Sequence, residues 1–146
     1  VGVMTILTDR LLLRTFCESD VPAYSRIRAK PEVVQWLPGG ADAAANAQKV
    51  AERAVSIFDD GWRNGGHAPW AVVERENGQL IGHLGLRVLP ELNHETELLD
   101  MIDSDHWGRG YATEGAIAAL GFGFAELALP FVIAPGITNQ PRIDMK

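Results

Sequence analysis

The sequence lacks the usual means of holding a small domain together covalently or through metal. Its 146 residues include one cysteine, Cys17, so no internal disulfide can form, and a lone thiol fits a reducing compartment. His67, His83, His94 and His106 stand far apart, with no HxxxH and no CxxC; no metal site is expected. Basic residues are outnumbered, 13 Lys and Arg against 19 Asp and Glu, for a formal net charge of −6. A nucleic-acid binder needs a basic face, so no nucleic-acid partner is expected. A cationic partner such as an amine is compatible with the acidic balance. No apolar run reaches the ~18 residues of a membrane span, and the start lacks the basic-then-apolar pattern of a signal peptide. No membrane partner and a cytoplasmic location are the expectations.

What is present reads as one folded domain over residues 1–146. Apolar residues make up 47% and charged residues 22%, the proportions of a globular chain, and the length allows a core without staples. Residues 10–16 suggest a first strand. Ser19 or Asp20 can cap a helix over 21–29, limited by Pro31. Asp42 is the expected N-cap of a longer helix over 43–60, with Ala47, Val50, Ala54 and Ile57 or Phe58 at helical steps. The period then shortens. Residues 70–74 and 80–88 read as strands around Asn77-Gly78, a hairpin signal. Residues 96–102 give another strand, 113–127 a helix and 131–134 a last strand. The class is α/β (α+β), with a mixed, mostly antiparallel sheet flanked by helices. The three middle strands should form a meander, and the last β-α-β a right-handed crossover if its strands are parallel. An open sheet edge is expected beside the last strand, covered by further residues or by a second copy, so a homodimer is a possible assembly.

The stretch Asp105-His106-Trp107-Gly108-Arg109-Gly110-Tyr111-Ala112-Thr113-Glu114 carries the chemistry. It lies where a strand gives way to a helix. A helix start exposes amides without intrahelical partners and the positive end of the dipole. Gly108 and Gly110 let the backbone approach a ligand and take positive φ, so successive amides can converge on an anion. Arg109 adds charge and Thr113 a hydroxyl. A pyrophosphate suits several aligned donors better than one carboxylate does. No Gly-Lys-Ser/Thr follows, and Gly115 is misplaced for GxGxxG, so neither a P-loop nor a dinucleotide fingerprint is present.

Trp107 to Gly115 resembles the acyl-CoA-binding signature of the GNAT superfamily of N-acetyltransferases, closest to the branch of ribosomal-protein N-terminal acetyltransferases. TDRLLLR, WAVVERENGQLIGHLGL, TELLDMI and Asn139-Gln140-Pro141 are similar to further segments of that branch, so the likeness spans nearly the whole chain. It implies acetyl transfer from acetyl-CoA, as co-substrate, to a primary amine by direct attack, the acceptor being a protein N-terminus or a small molecule. It implies that Met101, Ile102 and Asp103 present backbone to the pantetheine arm. The loop of Trp107, Gly108, Arg109, Gly110, Tyr111, Ala112 and Thr113 would hold the pyrophosphate, and Asn139 would contact the cofactor arm. Three departures stand out. Arg142 replaces the serine of the family's Asn-x-x-Ser, Asp100 replaces an aromatic residue, and the C-terminal part is short.

Glu97 and Asp100 are the candidate catalytic acids. Glu97 ranks first on the resemblance, and strand alternation puts the two on opposite faces, so a regular strand should not present both to one substrate. Each also has a purely structural role open to it. Cys17 has no histidine nearby in sequence, which argues against an acyl-enzyme. His83 is expected in the core or on a sheet face, His67 in solvent, and Trp36 and Trp62 as packing anchors or pocket walls. Two other classes fit the same residues: a CoA-binding or sensing domain without turnover, and a small interaction module sharing the fold.

Overall fold

The computed structural model describes residues 5–65, 67–89, 95–133 and 142–144. Among them seven strands form one sheet, in chain order from edge to edge. They are β1 (Ile6–Leu7), β2 (Leu11–Arg14), β3 (Pro69–Glu74), β4 (Gln79–Leu89), β5 (Glu95–Ile102), β6 (Phe131–Ile133) and β7 (Arg142–Asp144). Every neighbouring pair is antiparallel except β5 and β6, which are parallel. The connection between those two is the helix α5 (Tyr111–Ala125). Four helices precede β3: α1 (Val21–Arg28), α2 (Pro31–Val34), α3 (Gly40–Ala45) and α4 (Ala47–Asp60).

The sheet buries both faces, and strand alternation sorts its side chains between two cores. Trp70 and Val72 of β3, with Leu84 and Leu86 of β4, pack against Tyr111, Ala119 and Phe122 of α5. Ala71, Val73 and Met101 turn the other way, onto Tyr24 and Ile27 of α1 and Ala51, Ala54 and Phe58 of α4. The α5 helix sits close because Gly115 has no side chain: a Cβ there would stand 2.7 Å from Leu84 Cδ1.

The antiparallel meander β3-β4-β5 and the parallel β5-β6 pair match the sequence expectations. Several local details do not. The helix expected over 43–60 is broken at Asn46, whose φ of −115° is non-helical, and Asp42 lies inside α3 instead of capping it. Asp20 does stand at the N-cap of α1 without making a side-chain cap. Its carboxylate instead accepts two bonds of 2.8 Å from Arg14 and one of 2.9 Å from the Cys17 amide. The turn at 75–78 is longer than a two-residue hairpin. The edge expected beside residues 131–134 carries β7, in register Phe131↔Asp144 and Ile133↔Arg142.

β6 meets β5 at a single register position, Glu97↔Ile133, near the start of β5. Beyond it, among the described residues, no strand runs along the outer edge of β5. That opening, next to the start of α5, positions the site.

Candidate active site

The loop between β5 and α5 is built to leave its amides free. Gly108 (φ +76°) and Gly110 (φ +79°) both adopt the left-handed conformation, and Gly110 is the N-cap of α5. Among the described residues no protein acceptor takes the amide of Gly108, Arg109, Gly110, Tyr111, Ala112 or Thr113; the first bond of the helix is Glu114 N to Gly110 O, at 3.0 Å. Nothing lies within 4 Å of where a Gly108 Cβ would be, so the loop's concavity is open. Gly108, Arg109, Gly110 and Thr113 are exposed. An open row of unsatisfied donors at a helix start suits an anion by geometry and by dipole.

Neighbouring side chains hold this loop in place. The Trp107 indole N–H donates to the Ile102 carbonyl at 2.7 Å, tying the loop to the end of β5. Tyr111 is buried and its hydroxyl donates to Glu74 at the end of β3, so its contribution to a ligand is its amide. Arg10 lies over the Tyr111 ring, 4.4 Å from the centroid. Glu114 accepts from Thr8 Oγ1 (2.6 Å), the Arg10 amide (2.8 Å) and Arg10 Nε (2.7 Å). Those partners hold its carboxyl below the ordinary value against the opposing effect of desolvation, which is the largest single influence on it. Asp103 caps the short turn Ser104–His106 and accepts from Lys30 at 2.5 Å. His106 is buried there, its Nε2 3.7 Å from Glu74 and its Nδ1 3.7 Å from Asp103.

The backbone of β5 alternates between its two neighbours. The Asp103 amide donates to Ile81 O at 2.7 Å, and the Met101 carbonyl lies 1.9 Å from where a Gly82 Cβ would stand. Residues 101 and 103 thus face β4. Asp100 and Ile102 face the open edge. Of Met101, Ile102 and Asp103, Ile102 turns its backbone to the open edge, with its carbonyl already on Trp107, and Met101 and Asp103 turn theirs toward β4. Asn139 lies outside the described residues.

A cleft of 570 Å³ borders this edge, and Glu97, Leu98, Leu99 and Asp100 all line it. Four consecutive residues of one strand can border a cavity only where it follows the strand's edge. For that reason Glu97 and Asp100 both border the cleft, although alternation sends their side chains to opposite faces. Glu97 is committed: Arg87, its partner across the β4-β5 pair, holds it at 2.9 Å. Asp100 has no counter-ion among the described residues. It is exposed by area, yet burial of its carboxyl raises its pKa above the ordinary value. Both hold because a group at a cleft wall meets water on one side and protein on the other.

The opposite wall comes from α1, α4 and the segment after α2: Arg28, Trp36, Leu37, Pro38, Ile57 and Phe58. Trp36 is 87% exposed, whereas Trp62 packs on Trp70 at 5.2 Å; the first is a cleft wall and the second a core anchor. His83 forms part of the cleft floor and is 2% exposed, with Tyr24 Oη 2.6 Å from its Nδ1. Burial, aided by Arg28 and Arg87, pushes its pKa down to about 3. His67, expected in solvent, is half-buried.

A larger cavity, 680 Å³, lies between the start of α1 and α4 and includes Cys17, Glu18, Glu52 and Asp59. It touches neither β5 nor the glycine loop, so size does not mark the site here. Among the described residues no group of three His, Cys, Asp or Glu side chains could hold a metal ion, and no helix is long and apolar enough to cross a membrane.

Sequence reasoning singled out the loop and both β5 acids as candidates. It missed Arg10, Glu74 and Glu114, which brace the loop, and Arg28, which faces the cleft. Only the Arg10–Glu114 pair left a trace in the sequence, as an arginine opening the first strand and an acid in the first turn of the loop's helix.

Residues 10–141 match the family model described as an acetyltransferase (GNAT) domain. The chain is 26% identical over 136 residues to an uncharacterized N-acetyltransferase, YoaA, of Bacillus subtilis (strain 168), covering 91% of this chain and 73% of that protein. The crystal structure of an acetyltransferase from Agrobacterium tumefaciens str. C58 superposes with a TM-score of 0.71 at 29% identity, over 92% of this chain and 74% of that one. RimL, a ribosomal L7/L12 α-N-protein acetyltransferase solved with coenzyme A, has a TM-score of 0.71 at 16% identity, over 91% and 73% of the two chains, a likeness of fold.

Proposed function

The chain belongs to the GNAT acetyltransferase family, and from that premise we propose how its own residues divide the work of moving an acetyl group from acetyl-CoA to an amine. Acetyl-CoA supplies the acetyl group as a thioester, already activated. The amides of Gly108, Arg109, Gly110, Tyr111, Ala112 and Thr113 hold the pyrophosphate; their lack of internal acceptors is the observation that carries the reading. Arg109, exposed on the loop, adds positive charge. The outer edge of β5 receives the pantetheine arm as an added strand, through the outward backbone of Asp100 and Ile102. Asn139 contacts the same arm from the segment after β6.

Asp100 takes the proton from the attacking amine. It is the cleft carboxylate without a counter-ion, and its raised pKa makes it a better base than an ordinary aspartate. Glu97, held by Arg87, positions the strand pair. The outward amides of β5 are the donors for charge that builds on the acyl oxygen. Transfer is direct: Cys17 lines the other cavity and plays no part. The setting is cytoplasmic, in keeping with the single free thiol.

The test is Gly110→Asp. It places a carboxylate among the amides, at a φ that non-glycine residues adopt only with strain. Calorimetric titration should show tight CoA binding by the wild type and none by the variant, whose circular dichroism stays native. Wild-type CoA binding at saturation should also raise stability by about 2.7 kcal/mol at 100 times Kd. Equal affinity in the two proteins would remove the loop from the site. Acetylated product by mass spectrometry, from a panel of amines, separates transfer from binding alone.

A further inference from the structure

We propose that the acceptor is an amine with a carboxylate beside it, of the α-amino-acid class with an apolar side chain, and that Arg28 selects it. The proposal rests on the acyl-transfer reading of the β5 cleft and names its substrate class.

Four charged residues line the cleft: Arg28, Arg87, Glu97 and Asp100. Arg87 and Glu97 neutralise each other at 2.9 Å. One cation, Arg28, and one anion, Asp100, remain without counter-ions among the described residues. Arg28 is half-buried at the end of α1 and its guanidinium stacks on the Tyr24 ring, 5.0 Å from the centroid. The Tyr24 hydroxyl takes one of the Arg28 N–H groups, and the buried Arg28 Nε has no acceptor. Arginine presents a planar fork that matches a carboxylate.

His83 adds a second orphan donor. The Tyr24 hydroxyl accepts from Arg28 and lies 2.6 Å from His83 Nδ1. A buried phenol without an acceptor is unfavourable, so Tyr24 donates, Nδ1 accepts and the ring proton lies on Nε2. That nitrogen is also buried and without an acceptor. Two N–H donors in the wall of one cleft therefore await oxygen atoms.

The charge pattern also excludes rivals. A zwitterion sets its carboxylate on Arg28 and leaves its amine at the edge of β5. A polyamine leaves Arg28 unanswered and adds positive charge beside it. A phosphomonoester brings two negative charges to one arginine, with Asp100 in the same cleft. Trp36, Leu37, Pro38 and Ile57 supply an apolar flank.

The experiment compares L-phenylalanine with L-phenylalaninamide, which share side chain and amine and differ in the carboxylate. Acetylated product is followed by mass spectrometry, and kcat/KM is corrected for the unprotonated fraction of each amine. Wild type should favour the acid by roughly ten- to hundredfold, the worth of a charge-assisted hydrogen bond, mainly through KM. Arg28→Gln should bring the ratio to about one, Arg28→Lys should keep part of it, and CoA affinity should hold in both. Turnover of the amide equal to that of the acid, or a preference that survives Arg28→Gln, overturns this proposal and leaves acetyl transfer standing. Absence of acetylated product from every amine, together with absence of CoA binding, overturns both.

Discussion

The neutral state of His83 makes a prediction about acid stability that is independent of any ligand. His83 sits mid-strand in β4, 2% exposed, against Tyr24 and Arg28 of α1, Phe58 of α4, Arg87 of its own strand and Met101 of β5. Burial first, then Arg28 and Arg87, depress its pKa from 6.5 to about 3. The unfolded chain binds a proton near pH 6.5 and the native state does not, so stability is complete above that pH and falls as pH drops toward 3. Between pH 7.5 and 4.5 the loss from this one group is about 2.7 kcal/mol, at about 1.4 kcal/mol per pH unit. That is a large share of the 5–15 kcal/mol typical of a domain. His83→Asn keeps a partner for the Tyr24 hydroxyl and does not titrate. It should be less stable than wild type at pH 7.5 because of the volume removed. Urea unfolding followed by tryptophan fluorescence at several pH values gives both curves. The carboxylates titrate in both proteins and cancel in the difference, so the wild-type curve should fall more steeply and the two should converge in acid. Parallel curves would refute the assignment of a buried, neutral imidazole, and with it the tautomer argument for Nε2.

Two further substitutions probe the site and its scaffold. Asp100→Asn should lower kcat/KM by about 10²- to 10⁴-fold and abolish the acid limb of its pH profile. In wild type that limb should lie above the ordinary aspartate pKa, since desolvation raises Asp100, and Glu97→Gln should leave it in place; an Asp100→Asn profile that keeps the wild-type limb removes Asp100 as base. Gly115→Ala puts a methyl 2.7 Å from Leu84 Cδ1 and should cost about 1–3 kcal/mol by overpacking, partly offset by alanine's better helix propensity, about 1 kcal/mol. Denaturant midpoints check it, and a stabilised variant would show that α5 can lift from the sheet freely.

The legible features of this chain were local ones. The glycine loop could be read because its two glycines, the strand before it and the helix after it all fall within a dozen residues, and each has one physical meaning. The illegible features were pairings across the sequence. The break at Asn46 follows no proline or glycine; it became visible only with the structure. Alternation correctly set Glu97 and Asp100 on opposite faces, but no spacing rule reveals that the cleft follows the strand's edge and so gathers both. The largest omission concerns charge. A site for a pyrophosphate should not carry acids, yet Glu114 stands in the first turn of α5 and Glu74 lies beneath the loop, 3.9 Å from Arg109. The fold answers each. Glu114 is matched by Arg10 and Thr8, over 100 residues away in sequence. Glu74 is matched by Tyr111 and Asn77, whose hydrogen bonds, the tyrosine's first, hold its carboxyl below the ordinary range against desolvation. Both acids thus serve as anchors that fix the start of α5, and with their charge engaged from behind, the dipole and the free amides of the loop still face outward as a positive site.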